Sequence, residues 1–241
     1  MKKSTIHILL ALVLSAGFMS CEKDNMPGPD ARVYGKITDK TTGQLVETEL
    51  VNGARIEAFE LGYPTQVSQV WVIKNNGEYR NNLVFSANYD FQLRNSNFYP
   101  VSLLNIKVNP GDNELNFQVD PYIRIKNPQI TYNATSKLVT ATFTLEGGKP
   151  EVKVRAVRLY AFNDIYVGEA TKFSITANST ASYTPSRTID ASSYTLTIDV
   201  GANAALFPAG RDYYFRIGAL ADVPNVGTIR HNFAPNVKIT L

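Results

Sequence analysis

Val67–Val84, VSQVWVIKNNGEYRNNLV, is the stretch on which the fold turns. Two runs rich in β-branched and aromatic residues flank Asn76-Gly77, a pair favoured where the backbone must take positive φ. The stretch therefore predicts a hairpin between strands Val67–Lys74 and Glu78–Val84. Outward from it, no run from Ala31 onward shows sustained helical periodicity. Alternation and turn pairs instead recur about every 8–12 residues, the pattern of an all-β sandwich. Arg32–Thr38, Ala54–Leu61, Asn88–Arg94 and Asn113–Val119 complete the first set of predicted strands. Thr42-Gly43, Asn52-Gly53 and Pro110-Gly111-Asp112 separate them.

The strings VYGKITDKTTGQLV, NGARIEAFE, NNGEYR, NYDFQL and FYPVSLLNIKV follow one another over residues 31–120. In that order, with turn glycines at Gly35, Gly43, Gly53 and Gly77, they resemble the carboxypeptidase regulatory-like domain, a transthyretin-type sandwich. The resemblance implies a rigid, non-catalytic module. Trp71, the single tryptophan, has two readings. It is either a platform for a sugar ring or a core residue, and its neighbours Val70, Val72 and Ile73 favour the core. In the resembling family an aromatic at the position of Phe98-Tyr99 packs before the last strand.

Asp120-Pro121-Tyr122 and Lys126-Asn127-Pro128 bracket a short segment, and residues 121–127 are expected to link two domains stiffly. β patterning resumes in residues 128–241. Val139, Ala141, Phe143 and Leu145 alternate with Thr140, Thr142 and Thr144, which suits a sheet with one solvated face. Within Val152–Phe162 the apolar parity changes, from Val152 and Val154 to Val157 and Leu159, as a bulge requires. Strands are also expected at Tyr194–Val200 and Val237–Leu241. LFPAGRDYYFRIGAL, Leu206–Leu220, resembles the approach to strand F in fibronectin type III and related immunoglobulin-like domains. That resemblance points Tyr213, Phe215 and Ile217 inward and makes Tyr213 the candidate tyrosine corner. The expectation is two β-sandwich domains in tandem, the first transthyretin-like and the second immunoglobulin-like.

Residues 1–20 have the layout of a secretory signal: Lys2 and Lys3, then an apolar run around Ile8–Leu14 too short to span a bilayer. Small residues then lead to Cys21, the only cysteine, which resembles the acylated cysteine of a bacterial lipobox. Residues 21–30 would form a lipidated tether. A second acyl chain makes such anchoring stable, at about 0.8 kcal/mol per buried methylene. Glu22, Lys23 and Asp24 resemble the charged export signal of surface lipoproteins of Bacteroidetes. Cleavage before Cys21 removes Lys2 and Lys3 and lowers the formal charge from +3 to +1, so no basic face calls for nucleic acid. With Cys21 acylated and His231 the only histidine left, zinc sites of the His/Cys type and disulfides are excluded. The 44% apolar content must supply the cores alone.

Taken whole, the chain resembles a two-domain Bacteroidetes lipoprotein family of unknown function associated with SusC/SusD-type glycan uptake. The resemblance implies an outer-membrane, cell-surface, non-catalytic accessory protein, with polysaccharide and SusC/SusD-type proteins as partners and no cofactor. Its sugar-binding candidates are Trp71, Phe98, Tyr99, Tyr160 and Tyr166, carried with Asn95, Asn97, Phe162 and Asn163 on Asn- and aromatic-rich segments. Two alternatives stay open. A fimbria-like fibre subunit would exchange strands, with Arg32, before the first strand, as a processing site. An enzyme would be a glycosidase, needing facing carboxylates about 5–9.5 Å apart. Asp164, Glu169, Asp212 and Asp222 fall on turns or outward parities, and His231 has no GxSxG partner.

Overall fold

The computed structural model describes residues 27–241, so the signal, Cys21 and the charged residues behind it lie outside the described residues. The described residues form strands and no helix. In chain order these are β1 (Ala31–Asp39), β2 (Arg55–Glu60), β3 (Ser68–Val72), β4 (Glu78–Val84), β5 (Asn88–Leu93), β6 (Val101–Lys107), β7 (Gly111–Glu114) and β8 (Phe117–Val119). There follow β9 (Ile123–Asn133), β10 (Leu138–Gly147), β11 (Lys153–Phe162), β12 (Thr180–Thr188), β13 (Tyr194–Asp199), β14 (Asp212–Asp222), β15 (Asn232–Phe233) and β16 (Val237–Thr240).

In the first domain, sheet β4-β1-β7, with β8 also on β1, faces sheet β3-β2-β5-β6. Val33, Ile37, Ile56, Ala58, Tyr89, Phe91 and Phe117 fill the space between them. The Asn76-Gly77 turn is present, with Gly77 at φ +83°, but it does not close a hairpin. β3 pairs with β2 and β4 with β1, joined only by an Ile73–Tyr79 bridge. The turn crosses between sheets because Gly77 accepts a hydrogen bond from Ile37 N–H of β1 (2.8 Å) and lies against Val46, whose carbonyl a Cβ would meet at 2.6 Å. Predicted strand Asn113–Val119 is two strands, β7 and β8, both parallel to β1. Arg32 lies within β1 rather than before it and pairs with Asp112 at 2.6 Å.

The second domain sets β13-β10-β9 against β12-β11-β14, with β15 and β16 both on β14, the immunoglobulin-like arrangement. The alternation of β10 is realised: Val139, Ala141, Phe143 and Leu145 are buried and the threonines half-buried. The parity change in β11 is a bulge between Val154 and Ala156, against both β12 and β14. Tyr213, Phe215 and Ile217 point inward, and the Tyr213 hydroxyl donates to Pro208 O at 3.0 Å, which is the tyrosine corner. Residues 121–127 are not a free linker. Pro121 through Arg124 are buried, β9 begins at Ile123, and Gly148 packs so closely on this turn that a Cβ would meet Pro121 O at 1.8 Å.

Candidate functional site at the domain seam

β14 reads DYYFRIGALAD, and its odd member is Arg216. Tyr213, Phe215 and Ile217 face the core of their own domain, so Arg216 takes the opposite face of the sheet. That face is covered too, by Tyr160, Val167 and Phe233 and by the first domain. A buried guanidinium must satisfy its donors. Arg216 does so by spanning both domains: Nε donates to Ala234 O (2.9 Å), Nη1 to Thr48 O (2.8 Å) and Val167 O (3.2 Å), and Nη2 to Asn75 O (3.1 Å) and the Glu47 carboxylate (2.6 Å). Its carbon lies 4.4 Å from the centre of the Phe233 ring. Burial pushes the Glu47 carboxyl up, and the Arg216 charge opposes that rise.

A second arginine, Arg124 on β9, makes a two-pronged pair with Asp39 of the first domain, Nε at 2.5 Å and Nη2 at 2.8 Å. Burial alone would raise Asp39, but donors from Arg124, Thr41 and Thr42 hold it below the usual carboxylate value. Asn97 Nδ2 donates to Glu47 O, and Asn232 Nδ2 donates to Asn97 O, both at 2.7 Å. Between these ties the seam opens into a groove of about 480 Å³. Gln44, Lys126 and Asn127 give it polar walls, and Leu45, Ile125 and Phe233 an apolar lining.

The structure separates the predicted sugar-binding aromatics. Trp71 is only 5% exposed and packs edge-on to Phe91 at 5.5 Å, so it is core and offers no open face. Phe98 is buried and bridges to Pro121, and Tyr160 is buried with its hydroxyl donating to Glu169 at 2.8 Å. Tyr99 is half-buried, edge-on to Tyr122, with Lys149 Nζ 3.9 Å from its ring centre. Tyr166 alone of the five is exposed, at 43%. Its loop is shaped by Asp164, whose Oδ1 accepts from Tyr166 N–H at 3.1 Å. The same loop is tied at Ile165 O by Asn236 Nδ2 (2.9 Å) and, across the seam, by Asn75 Nδ2 (3.4 Å). Asn236 directly follows Pro235, a residue of the groove wall, so this loop is tied to the chain next to the groove, though Tyr166 itself does not line it.

Of the other carboxylates, Glu169 is held by Arg158, Lys172 and Tyr160, Asp212 by Lys238 and Thr240, and Asp222 by Ser186. Arg216, Glu47, Arg124 and Asp39 were not singled out from the sequence. The one available signal was an arginine in the middle of an apolar strand.

Fold and seam together define a two-domain all-β protein whose sandwiches are locked by buried arginines. The chain belongs to the DUF3823 family: residues 31–120 match its N-terminal domain, a protein of unknown function, and residues 123–238 match DUF3823_C, a domain of unknown function. It is similar to a solved protein of Bacteroides uniformis provisionally described as carbohydrate binding, at 46% identity over 89% of this chain and 100% of that one, with a TM-score of 0.85. DUF3823 family structures from Bacteroides uniformis (18% identity, 88% of this chain, 100% of that chain, TM-score 0.69) and Parabacteroides merdae (19%, 89%, 100%, 0.70) share the fold. No curated protein matches the sequence.

Proposed function

We propose that this is a non-catalytic, lipid-anchored outer-membrane protein, displayed at the cell surface, that binds glycan and assists a SusC/SusD-type uptake complex. The observation that carries the glycan reading is the exposed Tyr166 ring, on a loop held through Asn236 to the chain next to the groove wall. An aromatic face gives apolar contact to a sugar ring, while the side-chain amides and amine of Gln44, Asn127 and Lys126 suit its hydroxyls. The description of the 46%-identical relative supports the same reading. The anchor and the surface location rest on the lipobox-like approach to Cys21. The non-catalytic reading is supported by the two carboxylates that line the groove, Asp39 and Glu47, being bound to Arg124 and Arg216.

Affinity electrophoresis of residues 22–241 against a panel of polysaccharides tests the binding. Retention on at least one glycan, weakened by Tyr166→Ala, is expected; a wild-type protein that migrates freely through every gel refutes it. Capture of the lipidated protein from outer membranes is expected to recover a SusC/SusD-type pair, and recovery of self-copies alone would defeat the accessory role. Release of reducing sugar from a retained glycan would defeat the non-catalytic one.

A further inference from the structure

Five residues, 22–26, separate Cys21 from Pro27. Even fully extended, that stretch reaches no more than about 22 Å, so an anchor at Cys21 keeps the entry of the first domain close to the membrane. The strand registers show which end of the domain this is. Ala31 pairs with Val84 and Gly111, and Gly111 N–H donates to Asp30 O at 2.9 Å. Asn88 opens β5 opposite Lys107; its carbonyl accepts from Leu61 N–H, and Ala87 O accepts from Val108 N–H, both at 2.8 Å. The chain entry and loops 61–67, 85–87 and 108–110 therefore share one end of the sandwich. The seam lies at the other end, beyond Asp39, roughly 27 Å away along the nine residues of β1.

The two ends differ in chemistry. Segments at the seam end carry Lys40, Glu47, Glu49, Lys74 and Arg94. The loops at the entry end read LGYPTQV, FSA and VNP, without a charged residue. On them Tyr63, Val67 and Phe85, with Leu83 on the same side of the chain as Phe85, are 44–75% exposed. Of the charges just behind, Asp30 accepts from Ser86 N–H (2.7 Å) and Oγ (2.8 Å), Arg32 pairs with Asp112, and Glu60 and Lys107 are opposite in sign. Uncharged loops with aromatic and branched apolar tips suit the boundary between lipid headgroups and acyl chains. A few such side chains bind a bilayer weakly from solution. Tied to an anchor at most about 22 Å away, the same contact becomes intramolecular and gains from effective concentration.

We propose that this end of the first domain is a membrane-contact surface, with Tyr63, Val67, Leu83 and Phe85 resting in the interfacial layer of the bilayer that carries the anchor. The contact rests on the acylation of Cys21 read above. It holds the seam groove on the side of the domain away from the lipid.

The test uses the mature lipidated protein in vesicles of phosphatidylethanolamine and phosphatidylglycerol doped with doxyl-labelled phosphatidylcholine. With Cys21 acylated, Tyr63→Cys, Phe85→Cys, Val51→Cys and Thr135→Cys each offer one free thiol for an environment-sensitive fluorophore. All four positions are exposed, Val51 at the seam end and Thr135 on the turn between β9 and β10. Labels at 63 and 85 are expected to shift to the blue and to be quenched by the doxyl lipid, and those at 51 and 135 to do neither. In the unlabelled protein, amide exchange in residues 61–67 and 85–87 is expected to slow relative to residues 27–241 free in solution, which separates the contact from a fluorophore drawn into lipid by itself. An acylated protein that floats with the vesicles while all four labels emit alike, or while those loops exchange as fast as in solution, overturns the surface and leaves the anchor standing. An amino-terminal peptide of the exported protein that carries no acyl group by mass spectrometry overturns the anchor and the surface together.

Discussion

Arg216 of the second domain donates Nη2 to the Glu47 carboxylate of the first at 2.6 Å, and the arginine side chain is wholly buried. A buried pair of this kind contributes little over an apolar replacement, but breaking one side of it is expensive. Arg216 is also the acceptor-filling centre of the seam, with four carbonyls from both domains on its remaining donors. Arg216→Met should therefore destabilise the protein by about 3–5 kcal/mol and split urea unfolding into two transitions as the domains uncouple. Arg216→Met combined with Glu47→Gln should recover part of that loss. A single unshifted transition in Arg216→Met would show that the seam does not couple the domains.

The tyrosine corner gives a local test of the second domain. Tyr213→Phe keeps the buried ring, which packs on Phe207 and Phe173, and removes only the bond to Pro208 O. A neutral hydrogen bond of this kind contributes about 1 kcal/mol, so the denaturation midpoint should fall with an unchanged m-value.

How far the sequence carried this fold depended on where the water is. β10 could be read residue by residue because one face is core and the other half-open, which writes itself as alternation. β12 could not: none of Thr180–Thr188 is fully buried, so no apolar period marks it. β6 was obscured by Leu103-Leu104, where Leu104 is exposed and Asn105, at positive φ, breaks the register against β5. Prolines at 121 and 128 suggested a linker, yet Tyr122 and Ile123 pack into the second core. The candidate site was the least legible part. Trp71 and Tyr166 are both aromatics among apolar or polar neighbours, and only their opposite burial separates them. Arg216 becomes informative only once the first domain is seen to cover its strand.

His231 supplies a pH dependence. Burial pushes its pKa down to about 4, Arg158 and Lys172 push the same way, and Glu169, 3.9 Å away, opposes them. Unfolded, the imidazole takes a proton near pH 6.5 while the folded protein keeps it neutral. Its contribution is thus complete above pH 6.5 and is lost as pH falls toward 4, by at most about 3 kcal/mol. His231→Gln should flatten the stability slope between pH 6.5 and 5, measured by urea titration. Below that range Glu169 and Asp39, both held low, add slopes of the same sign. A slope identical in wild type and variant would place the imidazole outside the linkage.

Tyr166 and Trp71 make opposite predictions, and together they separate binding from folding. Tyr166 sits on an exposed turn whose backbone is fixed by Asp164, Asn75 and Asn236 rather than by its ring. Tyr166→Ala should therefore shift stability by no more than about 0.5 kcal/mol while reducing retention on any glycan the wild type binds. Trp71 fills the first core between Tyr79 and Phe91, so Trp71→Ala opens a cavity and should cost about 3–5 kcal/mol. The milder Trp71→Phe preserves an aromatic in that space and should leave glycan retention at the wild-type level in the folded protein. If Trp71→Phe abolishes retention and Tyr166→Ala does not, the binding surface lies on the β3-β2-β5-β6 sheet of the first domain and the seam reading fails.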